Sequence, residues 1–282
     1  MKLPAILPFI GTALAASCKN HTLWLCGDST MAPGGGHNGT EGWGQYLQYS
    51  LDPHIRVNNS AYAGRSARTF TREGRFQAIY DKIVPGDWVV IQFGHNDGGI
   101  PANDTKYRVD CPGMGNEICP VTYNNQTELV RTYVSYLSSA TQTFLRLGAR
   151  GVILTSPTPT NPFESTPLNP SGTFSFLPSI YAYHSWYVAS LLGGPAAGVY
   201  YIPHGAYAAQ AVELLGRENA MEGYPMDNTH LSPRYADLFA RSFVLGLKCG
   251  TAGLQGAVRN ATSRIEGKEL GTCLAVNETL PI

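Results

Sequence analysis

The sequence contains a serine, an aspartate and a histidine whose types and spacing suit nucleophilic ester chemistry. Ser29 offers a hydroxyl, and Asp227 and His230 lie three residues apart, where they can face the same way. In that arrangement the carboxylate holds the imidazole Nδ1–H while Nε2 accepts the serine proton. The pattern predicts a catalytic triad of Ser29, His230 and Asp227, although an Asp-x-x-His spacing alone is common.

Two further clusters offer donors that could stabilise negative charge. Gly64, within Ala61–Arg68, has no side chain to keep a bound oxygen from its N–H, and Asn96, within Phe93–Asp97, carries an amide. With the main-chain N–H of Ser29, these groups would form an oxyanion hole. Each cluster taken alone also fits an ordinary turn, but their joint occurrence favours a site.

The clusters follow predicted strands or occupy the last loop. Leu23–Gly27 predicts a strand that ends just before Ser29, and Asp87–Phe93 is almost continuously apolar, as in a parallel strand buried on both faces. Alternating strands and helices predict an α/β fold of three α/β/α layers around a parallel sheet of about five strands, as in flavodoxin-like proteins. The other predicted strands are Ile55–Ser60, Gly151–Thr155 and Val199–Ile202, and the helices are a short one from Trp43, Asn125–Leu147, Tyr181–Leu192, Ala206–Leu215 and Pro233–Leu247.

Composition favours one globular domain. The chain has 282 residues, of which 43% are hydrophobic and 14% charged, and its formal net charge is zero. A core of this size suits a single domain. Because there is no run of Lys or Arg, nothing indicates a nucleic acid or an anionic membrane as partner. We expect a monomer.

The N-terminus predicts secretion. Residues 1–16 combine a charged start, a short apolar stretch and a small-residue end, which is typical of a secretory signal peptide. The remaining 17–282 form the predicted domain. Seven Asn-x-Ser/Thr sequences are also consistent with an extracellular glycoprotein. They begin at Asn20, Asn38, Asn58, Asn103, Asn125, Asn260 and Asn277.

Six cysteines in a secreted chain suggest disulfides. Pairing by neighbourhood, Cys111 with Cys119 and Cys249 with Cys273, is the simplest of the possible connectivities. If the chain from Cys18 to Cys26 is extended, its ends lie roughly 25 Å apart, too far for a disulfide, so we expect Cys26 to be a buried thiol. No Cys-x2-Cys spacing suggests a metal site.

Four clusters resemble the four blocks of the SGNH (GDSL-like) hydrolases and follow one another in the same order. They are Gly27–Thr30, Gly64, Gly94–Asp97 and Asp227 with His230. Within that family the chain is similar to the fungal rhamnogalacturonan acetylesterases over most of its length, from about residue 22 to 274. The closer resemblance rests on Gly27–Ala32, Gly42–Gly44, Ala63–Arg68, Thr71–Phe76 and Phe93–Gly99.

The resemblance implies a serine esterase that needs neither metal nor organic cofactor. His230 would remove the Ser29 proton, Asp227 would orient His230, and the Ser29 and Gly64 N–H groups with the Asn96 amide would bind the oxyanion. It also implies the disulfides Cys111–Cys119 and Cys249–Cys273. The substrate implied by the resemblance is an acetylated plant cell-wall polysaccharide of the rhamnogalacturonan type.

Four arginines and one tryptophan are candidates for contacts with the substrate. Arg65, Arg68, Arg72 and Arg75 could face uronic-acid carboxylates, with Arg65 the foremost candidate, or form a solvated surface. Trp43 could stack on a sugar or lie in the core. An acetylxylan or other oligosaccharide esterase is the alternative within enzymes, and a non-catalytic polysaccharide-binding protein is the alternative outside them.

Overall fold

A five-stranded parallel sheet lies at the centre of the fold, as the sequence predicts. The structure is a computed structural model that describes residues 20–123, 125–259 and 269–274. The signal-peptide prediction, Cys18, Asn260 and Asn277 lie outside these ranges. The sheet has the order β2-β1-β3-β6-β7 and consists of β1 (His21–Gly27), β2 (Ile55–Asn59), β3 (Trp88–Gln92), β6 (Gly151–Thr155) and β7 (Val199–Ile202).

Helices cover both faces of this sheet. The helices are α1 (Ala67–Arg72), α2 (Arg75–Tyr80), α3 (Tyr133–Arg146), α4 (Ile180–Leu191), α5 (His204–Gly223) and α6 (Pro233–Cys249). Helices α5 and α6 pack on one face and α1 to α4 on the other. The predicted three-layer α/β/α architecture is therefore confirmed, whereas α1 and α2 were not predicted.

Side-chain alternation along β1 divides the hydrophobic core in two. Leu23 and Leu25 pack with α5 and α6, while Trp24 and Cys26 pack with the helices of the opposite face. All four side chains are buried. Because successive residues of a strand point to opposite faces, this apolar run is the expected pattern of a central strand covered on both sides.

The strand order brings the predicted clusters together. Strand β1 pairs in parallel with β2 on one side and with β3 on the other. The loop that carries Ser29 therefore lies between the loops that carry Gly64 and Asn96, at the carboxyl edge of the sheet. Open α/β sheets bind ligands at such a topological switch point.

A β-hairpin replaces the start of the predicted helix Asn125–Leu147, so that part of the prediction is wrong. Residues Ile118–Tyr123 (β4) and Gln126–Arg131 (β5) form an antiparallel pair, and the helix begins only at Tyr133. The Thr132 hydroxyl accepts the Ser135 N–H at 3.0 Å and so caps the helix at its true start. The backbone N–H and C=O groups of β5 pair with those of β4, whereas the apolar spacing had predicted that they form the first turns of the helix.

The disulfides Cys111–Cys119 and Cys249–Cys273 form as predicted. Cys26 is a free, fully buried thiol, which confirms that prediction as well. Burial raises the pKa of the Cys26 thiol, because the apolar surroundings disfavour a thiolate. In the described ranges no helix is both long and apolar enough to cross a membrane.

Candidate active site

Ser29 lies in a tight turn directly after β1. The buried Asp28 carboxylate accepts the Thr30 N–H at 2.9 Å and the Thr30 hydroxyl at 2.8 Å. At Gly27 a Cβ would lie 2.9 Å from the Gln92 carbonyl oxygen and 2.8 Å from the Met31 sulfur. Only glycine fits there without displacement, so the chain turns at the end of the strand and presents Ser29 at the sheet edge.

The three predicted triad residues form one hydrogen-bonded chain. His230 Nε2 lies 2.8 Å from Ser29 Oγ, and His230 Nδ1 lies 2.6 Å from Asp227 Oδ2. With Nδ1–H facing the carboxylate, Nε2 is the bare nitrogen that can accept the serine proton. The described geometry is therefore that of a nucleophile, a base and an orienting acid.

The Asp227 carboxylate is held in its ionised form. Partial burial raises its pKa, but the main-chain N–H and the ring of His230, together with the Thr229 N–H, outweigh burial and leave the pKa below its usual range. Oδ1 accepts both N–H groups at 2.8 Å, which leaves Oδ2 for the ring. A carboxylate fixed in this way stabilises a neighbouring imidazolium.

The loop that carries Asp227 is anchored by the segment after β6. The Asn161 N–H donates to the Asn228 carbonyl oxygen at 2.7 Å, and the Asn228 amide donates to Glu164 Oε2 at 2.8 Å. On the other side of His230, the Ser232 hydroxyl caps α6 at the Tyr235 N–H. The loop that carries Asp227 and His230 is thus held at both ends.

The glycine-rich loop Pro33–Gly42 supports the His230 ring. A Cβ at Gly36 would lie 2.4 Å from both Cγ and Cδ2 of His230, so the backbone packs directly on the imidazole. The Gly36 N–H donates to the buried Thr40 hydroxyl at 2.9 Å, and the Glu41 N–H donates to the Leu231 carbonyl oxygen at 2.8 Å. These contacts fix the loop against the ring.

The three donors of the predicted oxyanion hole each have a hydrogen available for a ligand. Within the described part of the chain, the main-chain N–H groups of Ser29 and Gly64 have no hydrogen-bond partner. Gly64 has φ +75°, in the left-handed region that favours glycine. Asn96 Nδ2 donates one hydrogen to the Arg65 carbonyl oxygen at 3.1 Å and keeps the second for a ligand.

Arg108, which no sequence motif indicates, contacts two parts of this donor set. Its Nη1 donates to Asn96 Oδ1 at 2.6 Å and to the Gly64 carbonyl oxygen at 3.1 Å. In sequence these partners are 12 and 44 residues away. No local motif links residues at such distances, so only the fold could reveal the contact.

The four arginines considered as uronate contacts are held in ion pairs. Arg65 and Arg75 bond Glu73, and Arg68 and Arg72 bond Glu128. The Arg68 side chain is fully buried, so the structure contradicts its interpretation as a substrate contact. The role of the partly exposed Arg65 stays a prediction.

Trp43 does not lie on the surface, and the prediction that it contacts sugar is wrong. Its side chain has no exposed area and stacks on Phe243 at 5.0 Å between ring centroids. The helix predicted from Trp43 is two short 3-10 turns, Trp43–Gln45 and Leu47–Ser50. The indole also contacts His204, whose pKa burial lowers to about 4, so that this histidine is neutral and structural.

A buried pair of carboxyl groups, also missed from sequence, lies beside the site. Asp97 accepts the N–H groups of Ala67 at 2.7 Å and Gly94 at 2.8 Å, and its main-chain carbonyl oxygen accepts the Asp110 N–H at 3.0 Å. Burial raises the pKa of both carboxyls, and the charge of Asp97 raises the pKa of Asp110 further. The pair retains a proton that an exposed aspartate would lose. It lines a cavity of about 310 Å³ together with Tyr133, Tyr181 and His184.

Among the residues that the structure describes, no group of three or more His, Cys, Asp or Glu side chains could hold a metal ion.

Comparison with known proteins supports the resemblance to the GDSL-like hydrolases. The GDSL-like Lipase/Acylhydrolase family model matches residues 25–238. A rhamnogalacturonan acetylesterase from Emericella nidulans is 42% identical over 242 residues, covering 86% of this chain and 91% of that protein. A probable rhamnogalacturonan acetylesterase from Bacillus subtilis is 51% identical over 78 residues, 28% of this chain and 36% of that protein.

A solved structure supports the fold. The crystal structure of the protein YxiM from Bacillus subtilis has a TM-score of 0.61 at 24% identity, covering 82% of this chain and 56% of that chain. The family match spans the elements that carry Ser29, Gly64, Asn96, Asp227 and His230 up to the first turns of α6. The chain therefore belongs to the GDSL-like lipase/acylhydrolase family and is a carboxylic ester hydrolase.

Proposed function

We propose that this protein is a secreted serine esterase that removes acetyl groups from pectic rhamnogalacturonan through an acyl-enzyme on Ser29. The observation that carries the proposal is the hydrogen-bonded chain from Ser29 Oγ through His230 to Asp227. The substrate class is supported by the extensive similarity to a rhamnogalacturonan acetylesterase. The two disulfides are compatible with an oxidising, extracellular location.

Acylation begins when His230 Nε2 takes the Ser29 proton and Oγ attacks the acetyl carbonyl carbon. The carbonyl oxygen becomes negatively charged and accepts hydrogen bonds from the Ser29 and Gly64 N–H groups and from Asn96 Nδ2. Asp227 stabilises the imidazolium. The carbon–oxygen bond to the sugar then breaks, and the sugar oxygen leaves with the proton from His230.

Deacylation repeats these steps with water as the nucleophile. His230 takes a proton from water, the hydroxide adds to the acetyl carbon, and the same three donors hold the oxyanion. Collapse releases acetic acid, which gives its proton to solvent to become acetate, and His230 returns its own proton to Ser29 Oγ. The enzyme ends in its starting state, with one ester bond and one water consumed.

The test is acetate release from two polymers with matched acetyl content, acetylated rhamnogalacturonan and acetylated xylan. We expect faster release from rhamnogalacturonan, and we expect Ser29→Ala to lower kcat by at least ~10³-fold because the covalent step is lost. Preference for xylan would favour the alternative esterase. No release from either polymer, or Ser29→Ala as active as the native protein, would contradict the proposal.

A further inference from the structure

Arg108 lies behind the oxyanion donors and bonds two of the residues that provide them. Nη1 donates to Asn96 Oδ1 at 2.6 Å and to the Gly64 carbonyl oxygen at 3.1 Å. Since Asn96 Nδ2 also donates to the Arg65 carbonyl oxygen at 3.1 Å, the loops after β2 and β3 are connected twice. One guanidinium thus holds together donors from both sides of Ser29.

The contact with Arg108 determines which way the Asn96 amide faces. A guanidinium has only donors, so the amide oxygen must face it and the NH₂ group must face away. The reversed amide would set NH₂ against the cation and lose the bond to Arg65. Arg108 therefore fixes Asn96 in the orientation that keeps one N–H available for an oxyanion.

Arg108 and Arg68 differ in the groups that surround their charges. Arg68 is paired with both oxygens of Glu128, at 3.1 and 2.7 Å. In contrast, no carboxylate of the described residues forms an ion pair with Arg108, whose partners are a side-chain amide and a main-chain carbonyl. A charge beside an amide oxygen polarises the amide and makes its N–H a stronger donor.

Asp104 fixes the backbone on which Arg108 is carried. Its carboxylate accepts the main-chain N–H groups of Lys106, Arg108 and Val109. Burial raises the pKa of Asp104, but these bonds outweigh it and lower the pKa overall, so the carboxylate stays ionised. The Asp110 N–H also donates to the Asp97 carbonyl oxygen at 3.0 Å, which ties this loop to the one after β3.

We propose that Arg108 is a positioning residue of the oxyanion hole, which orients Asn96 and Gly64 as one unit and strengthens the Asn96 donor as negative charge develops. The proposal rests on the proposed function, since it requires that Asn96 bind the oxyanion. It predicts an effect on kcat even for a small, neutral acetyl ester that has no uronate for an arginine to bind.

The test compares Arg108→Met and Arg108→Lys with the native protein on a chromogenic acetyl ester. We expect Arg108→Met to lower kcat roughly 10- to 100-fold with KM changed less than about twofold, because the lost interaction acts when charge develops. Lys restores the charge but not the planar fork, so it should recover part of the loss. Arg146→Met, which removes an exposed arginine of α3, is the matched control and should keep the native kcat.

A double-mutant cycle with Asn96→Ala separates positioning from a general structural effect. If Arg108 acts through Asn96, Arg108→Met should cost much less in the Asn96→Ala background than in the native one. Fully additive losses, a loss confined to KM, or a native kcat in Arg108→Met would overturn the proposal. If Asn96→Ala alone has the native kcat, the oxyanion assignment fails instead, which distinguishes the two claims.

Discussion

The charge of Asp227 supports the proposed base, His230, and replacing Asp227 by Asn measures how much turnover depends on that carboxylate. Asp227→Asn keeps the size of the side chain but removes the negative charge beside His230 and disturbs the ring tautomer. We expect kcat to fall roughly 10²- to 10⁴-fold. Asp237→Asn is the matched control, since Asp237 is similarly exposed and lies outside the site. The two variants should differ in steady-state turnover of a chromogenic acetyl ester, and equal turnover would contradict the role of Asp227.

The pH dependence of kcat/KM tests the same dyad from another side. The pKa of Asp227 lies below its usual range, so its carboxylate stays ionised while the base gains a proton. Protonation of Asp227 should therefore not contribute to the acid-side fall of activity until the pH is below the usual range of an aspartate, so the acid side of the profile should have unit slope. A profile that is flat through the acid range, or one that falls with the slope of two protons, would count against this assignment.

At the scale of the element, the loop Pro33–Gly42 supports the His230 ring. Gly36→Ala would bring a Cβ within 2.4 Å of the His230 ring, whereas the Gly36 φ lies outside the left-handed region and adds no backbone strain. The ring must shift, and a shift of about 1 Å can cost ~10²-fold in rate.

We therefore expect Gly36→Ala to lower kcat at least ~10-fold while the protein keeps its fold. Gly256→Ala is the control, since a Cβ there has nothing within 4 Å and its φ is ordinary. Circular dichroism and turnover should be measured for both. Native turnover in Gly36→Ala would show that the loop does not position the ring.

The elements also show what the sequence could predict. The triad and donor candidates could be proposed from sequence because they lie in loops after strands or share one turn, so local spacing indicates their place. Arg108 could not, because its partners come from distant parts of the chain. The two interpretations of Trp43, sugar contact or core residue, could not be distinguished for the same reason, since its burial depends on Phe243 of α6. In β5, the apolar residues Leu129 and Val130 fit helical spacing, but pairing with β4 decides the structure.

At the scale of the whole molecule, the Asp97–Asp110 pair couples stability to pH. The unfolded chain loses its aspartate protons near pH ~3.9. Because the pKa of Asp110 is raised well above this value, the folded protein keeps a proton that the unfolded chain releases. The stability that the proton supplies is present at low pH and is lost as the pH rises toward the folded pKa.

Asp110→Asn mimics the protonated carboxyl at every pH. The free energy of unfolding of the native protein minus that of the variant should decline by up to about 1.4 kcal/mol per pH unit, starting near pH ~4. Denaturant titrations across this range measure the difference, in which other titrating groups largely cancel. A difference that does not vary with pH would contradict the retention of a proton by the folded protein.

The most direct test of the central claim is to trap the nucleophile. A 4-nitrophenyl alkylphosphonate transfers its phosphonyl group to an activated serine and leaves a stable analogue of the tetrahedral intermediate. Peptide mass mapping should find one phosphonyl group per chain on Ser29, in proportion to the loss of esterase activity, and Ser29→Ala should stay unlabelled. Activity that persists after Ser29 is labelled, or inactivation with the label on another residue, would contradict the account.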